Sequence, residues 1–127
     1  MPAEPADTAS DPKRLKGDAI ERLACRHLER QGLTLIERNY RSPFGEIDLV
    51  MRHQGVVVFV EVRYRRHTRY GLPAETVDAR KQARLRATAE HYLQHDGRAS
   101  NRPCRFDIVA VTDDPNGERL DWLQNAF

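Results

Sequence analysis

The chain contains 127 residues, 39% of them hydrophobic and 31% charged, and its formal net charge is +2. A chain of this length is large enough for one domain with its own core, and its composition is ordinary for a soluble globular protein. The longest apolar run, Gly55 to Val60, is too short to span a bilayer and the N-terminus shows no hydrophobic signal region, so we expect no membrane partner and a cytoplasmic location.

The N-terminal part predicts a tail, a helix and a strand. Residues 1–11 contain prolines with small and acidic residues, which favours a disordered tail before a single domain at 12–127. Apolar residues then recur at helical spacing from about Leu15 to Gln31, and Gly32 is a natural stop. A first strand is expected near 33–40.

Two strands follow, near 46–52 and 56–63. If the loop between them is the two-residue turn Gln54-Gly55, they form a hairpin whose register places Asp48 directly across from Glu61. Directly opposite side chains lie about 5 Å apart, and like charges in that position repel. A cation between the two carboxylates would remove this repulsion.

The C-terminal part predicts a second helix and two more strands. The helix runs from about Asp78, a suitable N-cap, to His95. Strands are expected at 105–111 and 119–123, on either side of a turn. The complete order of elements indicates an α/β fold with a mixed sheet.

Acidic residues inside the two hairpin strands are the main candidates for a functional site. Residues two apart in a strand share a face, so Glu46 and Asp48 point one way, as do Glu61 and Arg63 in the next strand. Clustered carboxylates suit Mg²⁺ or Mn²⁺, which can polarise a phosphodiester and activate a water. The alternative is a surface hairpin with exposed carboxylates and a Glu46–Arg63 ion pair.

Basic residues are concentrated in one segment. Between Arg63 and Arg86 there are eight of them, and Glu75 and Asp78 reduce their sum to +6. An arginine-rich segment favours contact with phosphate, although a solvated face has the same composition. The candidates for nucleic-acid contact are Arg65, Arg66, Arg69, Arg80, Lys81 and Arg84.

Several motifs together resemble a known family. Gly-Glu-Ile-Asp-Leu-Val at 45–50 and Val-Phe-Val-Glu-Val-Arg-Tyr-Arg at 58–65 are similar to the YraN-type family of uncharacterised bacterial proteins. That family is similar in turn to the restriction-endonuclease-like superfamily, which includes archaeal Holliday-junction resolvases. The superfamily pattern is an Asp, then Glu-x-Lys one strand later, on an αβββαβ core. Further matching positions are Gln31-Gly32, Arg38-Asn39-Tyr40-Arg41, Lys81-Gln82, Cys104-Arg105-Phe106-Asp107 and Asn125-Ala126-Phe127.

The resemblance implies roles for individual residues. Asp48 and Glu61 would be the metal-binding carboxylates, with the carbonyl of Val62 as a further ligand. Glu21, on the first helix, matches an acidic residue that the resolvase-like branch places near the metal. Glu46 belongs to the Gly-Glu-Ile-Asp motif and would assist.

Arg63 departs from the superfamily pattern, because it stands where that pattern has lysine. Arginine stays protonated and cannot act as a general base, but it can hold a phosphate or stabilise developing charge. Two functions follow from the resemblance. One is a metal-dependent DNA endonuclease, possible as a homodimer and with RNA not excluded as a substrate. The other is a non-catalytic module on the same fold that binds nucleic acid or a protein partner.

The remaining chemically active side chains give weaker signals. His91 and His95 have the spacing of a zinc pair without a third ligand in view, so we expect exposed helix histidines. Cys25 and Cys104 lack metal-site spacing, and we expect a buried, reduced pair. Asp107 lies in an apolar strand, where it would cap a turn or pair with an arginine of the basic segment.

Overall fold

The structure is a computed structural model that describes residues 12–66, 77–96, 102–114 and 117–127. The predicted tail at 1–11 lies outside the described residues. In the described part of the chain, neither helix combines the length and the apolar character that crossing a membrane requires. The elements are α1 (Pro12–Arg30), β1 (Thr34–Ser42), β2 (Gly45–His53), β3 (Val56–Arg66), α2 (Ala79–His95), β4 (Cys104–Asp114) and β5 (Gly117–Leu123).

The five strands form one mixed sheet in the order β1-β2-β3-β4-β5. Strands β3 and β4 are parallel, and the other neighbouring pairs are antiparallel. A parallel pair needs a crossover connection, and α2 lies in the segment that joins β3 to β4. The predicted mixed α/β fold is therefore confirmed. The order of elements is consistent with an αβββαβ core that β5 extends.

Helix α1 covers one face of the sheet. Ala24 and Leu28 are fully buried, with Ile20 6% exposed, and all three pack in one cluster with apolar residues of β2, β3 and β4. Their spacing of four residues places them on one side of the helix, as the sequence predicted. The helix ends at Arg30, and Gly32 has a φ of +97°, which glycine adopts without strain.

Helix α2 covers the opposite face. Leu85, Ala89 and Tyr92 pack in a second cluster that includes Phe59 of β3. The carboxylate of Asp78 accepts a hydrogen bond of 2.8 Å from the backbone N–H of Lys81, so the predicted N-cap is confirmed. This cap fixes where the first turn of α2 begins, and with it the position of the basic residues in that turn.

The β2–β3 hairpin has the predicted two-residue turn. Gln54 and Gly55 have φ values of +52° and +84°, which is the backbone that a tight hairpin turn requires. His53 pairs with Val56, and the ladder continues regularly to Leu49 opposite Val60. The predicted register is therefore confirmed for this part of the hairpin. Asp48 and Glu61 come next in each strand, at the point where the described ladder ends.

Asp107 holds the C-terminal segment in place. Its carboxylate is fully buried and accepts hydrogen bonds of 2.9 Å from Arg105 Nε, from Trp122 Nε1 and from the backbone N–H of Asn125. It thus both caps the turn after β5 and pairs with an arginine. That arginine lies two residues away in the same strand and is not part of the basic segment. A buried carboxylate is stabilised when several donors compensate its charge.

The two cysteines have different surroundings. Both are free thiols, but Cys25 is buried under α1 whereas Cys104 is exposed at the start of β4. The prediction of a buried pair is wrong for Cys104, because the first residue of a strand lies at the end of the sheet, where the helices do not cover it.

Candidate metal and nucleic-acid site

A pocket of about 170 Å³ lies between the divergent ends of β2 and β3 and the N-terminal half of α2. The structure brings together in its wall the predicted acidic residues of both strands and two of the predicted basic residues. Acids and bases therefore meet in one place, as the sequence patterns suggested separately. The pocket is lined by Gly45, Glu46, Asp48, Glu61, Lys81, Arg84 and Leu85.

At Asp48 the side chains of β2 stop alternating regularly between the sheet face under α1 and the sheet face under α2. Ile47 packs in the cluster under α2, whereas Leu49 packs in the cluster under α1. Regular alternation would place both on the same face, so the pleat is interrupted at Asp48. The facing position in β1 is Asn39, which has a φ of +54°. This local reversal lets Asp48 interact with Glu21 of α1 as well as with Glu61.

The carboxylate of Asp48 accepts a backbone hydrogen bond from β3, in the place of a carbonyl group of a neighbouring strand. Its Oδ2 accepts a hydrogen bond of 2.8 Å from the backbone N–H of Val62. The backbone N–H of Val57 donates a hydrogen bond to Pro103 O, on the β4 side of β3. Because successive residues of a strand alternate sides, the even-numbered residues of β3, including Val62, direct their N–H and C=O toward β2. The carbonyl of Val62 therefore points toward the side on which Asp48 lies. That orientation is the one that the expected role of Val62 as a ligand requires.

Burial and like charges act together on the acids of the pocket. Burial, and then the negative charge of Glu61, raise the pKa of Asp48 to about 8, while the hydrogen bond from Val62 acts in the opposite direction. Burial, followed by the charge of Asp18, also raises the pKa of Glu21, and its hydrogen bond with Asp48 lowers it. Glu21 Oε1 is buried and has no hydrogen-bond partner within the described chain. The cluster thus holds more negative charge than its surroundings compensate.

Glu61 is buried and carries two cationic partners. Its Oε2 lies 3.3 Å from Arg63 Nη1 and 3.2 Å from Lys81 Nζ. The sequence made Lys81 a candidate for phosphate contact, and the structure in addition pairs it with Glu61. Its approach depends on how α2 packs on β3, which no local pattern reveals. Lys81 is one of three lysines in the chain, and the other two, Lys13 and Lys16, lie in α1.

Glu46 lies at the rim of the pocket rather than in its base. Its side chain is 41% exposed, and Oε2 lies 3.4 Å from Nε of Arg41, which is 76% exposed. Glu46 thus pairs with Arg41, and Glu61 pairs with Arg63 and Lys81. An exposed pair of this kind contributes little to stability, so Glu46 is free to reorient toward a ligand.

The donor atoms of the pocket fit a hard divalent cation. Over the described ranges, no three side chains of His, Cys, Asp or Glu are arranged to hold a metal by themselves. Mg²⁺, however, is usually held by one or two carboxylates, with waters and substrate phosphate completing the shell. Asp48 and Glu61 with the Val62 carbonyl provide such an all-oxygen set, and the unpartnered Oε1 of Glu21 lies beside it. The set lacks the nitrogen and sulfur ligands that zinc prefers.

The other predicted nucleic-acid contacts are distributed around the pocket. Arg80 and Arg84 are exposed on α2, and Arg84 lines the pocket. Arg65 is half-buried near the end of β3. The side chain of Arg66 and the whole of Arg69 lie outside the described part of the chain. Of these described basic residues, Arg80 and Arg84 thus lie in the first turns of α2, whereas Arg65 lies on β3.

The two histidines of α2 belong to a ring cluster. His91 Nδ1 is hydrogen-bonded to the hydroxyl of Tyr40, and its ring stacks on that of His95 with centroids 4.0 Å apart. His95 is exposed, as expected, but His91 is half-buried. Because these contacts already explain both rings, a zinc pair is not needed to account for them.

Comparisons with known proteins identify relatives over nearly the whole chain. Residues 20–111 match the model of the family described as "Uncharacterised protein family UPF0102". A UPF0102 protein of Nitrosococcus oceani is 48% identical over 114 residues, which cover 90% of this chain and 92% of that protein. A UPF0102 protein of Pseudomonas aeruginosa is 50% identical over 122 residues, covering 94% and 98%. The matched range includes every residue that lines the pocket.

Proposed function

The chain belongs to the uncharacterised protein family UPF0102, as its motifs predicted, and on that premise we propose that its pocket binds Mg²⁺ or Mn²⁺ and cleaves phosphodiester bonds in DNA. The observation that carries the proposal is the meeting of the half-buried carboxylate of Asp48 and the buried carboxylate of Glu61 with the ammonium group of Lys81 in one open pocket. Buried acids that lack full compensation mark functional sites more often than structural ones.

Each acidic residue has a separate role in this proposal. Asp48, Glu61 and the Val62 carbonyl would hold the cation, and Glu21 would orient Asp48 through their hydrogen bond. The cation would polarise the phosphodiester and lower the pKa of a water molecule. Glu46 would remain at the rim, where it reorients from Arg41 when substrate enters.

The cations on Glu61 would act on the substrate. Lys81 lines the pocket beside Glu61, where phosphate oxygens would approach, and Arg63 contacts the same Glu61 oxygen. Both can stabilise the charge that develops on those oxygens. Replacing Lys81 by glutamine should therefore reduce cleavage far more than replacing its exposed neighbour Arg80 by glutamine.

The DNA backbone would be held by arginines outside the pocket. Arg80 and Arg84 on α2 and Arg65 on β3 surround the acids, and guanidinium groups bind phosphate in a bidentate manner. A branched substrate presents two strands, so cleavage of both would require two copies of the chain. The dimer is therefore part of the proposal, and sedimentation with and without branched DNA tests it.

One observation favours a second function. Oε2 of Glu61 is within ion-pair distance of both Arg63 and Lys81, and Arg63 replaces the lysine of the superfamily pattern. This network satisfies Glu61 without a metal. The same fold would then bind nucleic acid or a protein partner without cleaving it, and the acids would have a structural role.

A cleavage assay separates the two functions. Branched, single-stranded and duplex DNA, and RNA of the same sequences, are incubated with Mg²⁺ or Mn²⁺ and either wild type, Glu61→Gln or Glu118→Gln. Glu118 is an exposed residue of β5, so it is a control with the same chemical change. Cleavage that requires metal and is lost only in Glu61→Gln supports the nuclease. Salt-sensitive binding without any cleavage supports the binding module instead.

A further inference from the structure

The turn between β1 and β2 is fixed onto α2. Ser42 Oγ accepts a hydrogen bond of 3.0 Å from the backbone N–H of Phe44 and donates one of 3.3 Å to Thr88 Oγ1. A Cβ atom at Gly45, which has a φ of +154°, would lie 3.3 Å from the same Thr88 oxygen. Glycine thus allows the turn to approach the helix closely. The side chain at the tip of the turn is therefore presented from a rigid support.

That side chain is Phe44, and 53% of it is exposed. Its ring meets the ring of His91 in an edge-to-face contact, with centroids 6.3 Å apart and planes at 68°. His91 is itself fixed by the Tyr40 hydroxyl and by stacking on His95. One side of the phenyl ring therefore rests on an ordered cluster while more than half of its surface remains open to solvent. Contact of this apolar surface with water is unfavourable in free energy.

The position of Phe44 connects it to the pocket. It immediately precedes Gly45, a pocket-lining residue, and three residues of β2 separate it from Asp48, a span of about 13 Å in extended chain. Positive charge flanks the turn on both sides. Arg41 is 76% exposed, and Arg84 Cβ lies 3.9 Å from a Cβ placed at Gly45. An open aromatic face thus lies beside groups that bind phosphate.

We propose that Phe44 is a stacking platform for an unpaired nucleobase next to the phosphate that enters the pocket. The inference rests on the proposed function and adds its substrate class, namely DNA with single-stranded, flapped or branched segments rather than continuous duplex. Unpaired bases can be splayed out and stacked on a protein ring, whereas the bases of a duplex already stack on each other. Arg41 and Arg84 would hold the phosphates on either side of that nucleotide.

Binding measurements test the platform without cleavage. Affinities for a fluorescent oligothymidylate and for a blunt hairpin duplex are measured in the absence of divalent metal. Stacking of one base predicts a roughly 5- to 150-fold loss of oligothymidylate affinity in Phe44→Ala and a less than about 2-fold change for the duplex. Phe44→Trp, which keeps an aromatic face, should retain the affinity. Ile36→Ala is the matched control, because Ile36 is 42% exposed in β1, away from the turn.

Four outcomes overturn the inference. The first is an equal loss for both probes, and the second is no binding of wild type to the oligothymidylate. The third is a wild-type dimer that Phe44→Ala dissociates while oligothymidylate affinity stays the same, which would assign Phe44 to a protein interface. Metal-dependent cleavage with an unchanged Phe44→Ala affinity rejects the platform alone. Selective loss of single-strand binding in a protein that never cleaves rejects the nuclease alone.

Discussion

Replacing Asp48 by asparagine should stabilise the metal-free protein. Asparagine has nearly the same shape, and its side-chain oxygen can still accept the 2.8 Å hydrogen bond from Val62 N–H. What the substitution removes is a half-buried carboxyl group whose environment includes the charges of Glu61 and Glu21. The amide group that replaces it can donate a hydrogen bond to either of these acids. The change therefore tests whether the pocket concentrates uncompensated negative charge.

The pKa of Asp48 gives the sign and the size of the effect. Its value in the folded protein, about 8, lies above the ordinary value of 3.8. The native state keeps a proton that the unfolded state has released, so this carboxyl lowers stability as the pH rises from about 4 to about 8. The folded and unfolded pKa values of Asp48 differ by about 4. Because one pKa unit corresponds to about 1.36 kcal/mol, the loss of stability through this carboxyl has an upper bound of roughly 5 kcal/mol. Because neighbouring acids share the proton, we expect a gain of about 2 kcal/mol at pH 8 and none at pH 4.

Thermal unfolding across this pH range measures the difference. For a domain of this size each kcal/mol shifts Tm by about 3 to 5 °C, so Asp48→Asn should melt some 6 to 10 °C above wild type at pH 8. Asp121→Asn is the control, because Asp121 is 44% exposed and pairs with Arg119 at the surface. Its effect should stay within about 0.5 kcal/mol at every pH. A mutant Asp48→Asn that melts below wild type at pH 8 would refute the reasoning.

Further predictions concern the core and the thiols. Asp107→Ala removes the acceptor for hydrogen bonds from three residues and should cost about 3 to 5 kcal/mol in urea unfolding; a loss below 1 kcal/mol would mean that the C-terminal segment does not depend on this carboxylate. Leu28→Ala removes a fully buried side chain under α1 and should cost about 2 to 5 kcal/mol by the same measurement, with a near-zero cost contradicting the packing. Native Cys104 should react with a thiol reagent much faster than Cys25, as mass spectrometry of the labelled protein would detect; equal rates would contradict their different exposure.

Much of the fold could be predicted because local rules and tertiary structure agree. Helical spacing predicted α1, and Gly32 marks its end. The Gln54-Gly55 turn predicted the register of the hairpin up to Leu49 and Val60, since the turn and the alternation of apolar residues require the same pairing. Consistency of this kind is what makes a sequence specify one structure.

The site was less predictable because it depends on departures from those rules. Strict alternation placed Asp48 and Glu46 on one face, and both line the pocket, but alternation did not predict that the pleat is interrupted between Ile47 and Leu49. Asparagine tolerates a left-handed backbone, yet nothing in the sequence marks Asn39 as the residue that adopts one. The sequence made these acids candidates, whereas their arrangement in one pocket required the structure.

Contacts between distant elements account for the remaining differences. Lys81 reaches Glu61 because α2 packs on β3, and Asp107 meets Trp122 because β5 folds back on β4. Neither contact follows from a spacing within one segment. The structure therefore connects the basic segment to the acids through an ion pair, which the sequence did not predict.

The irregular features of the described fold converge on Asp48. Asn39, with its left-handed backbone, faces Asp48, and the β2–β3 ladder ends beside it. The neighbouring acid Glu21 has a buried carboxylate oxygen without a hydrogen-bond partner in the described chain. Each feature costs stability, and such costs persist where a site needs them. Glu61 has cations to compensate it, so the charge that still requires a partner lies on the Asp48 side. A divalent cation or a bound proton would supply that compensation, and only the cation would also bring phosphate to the pocket.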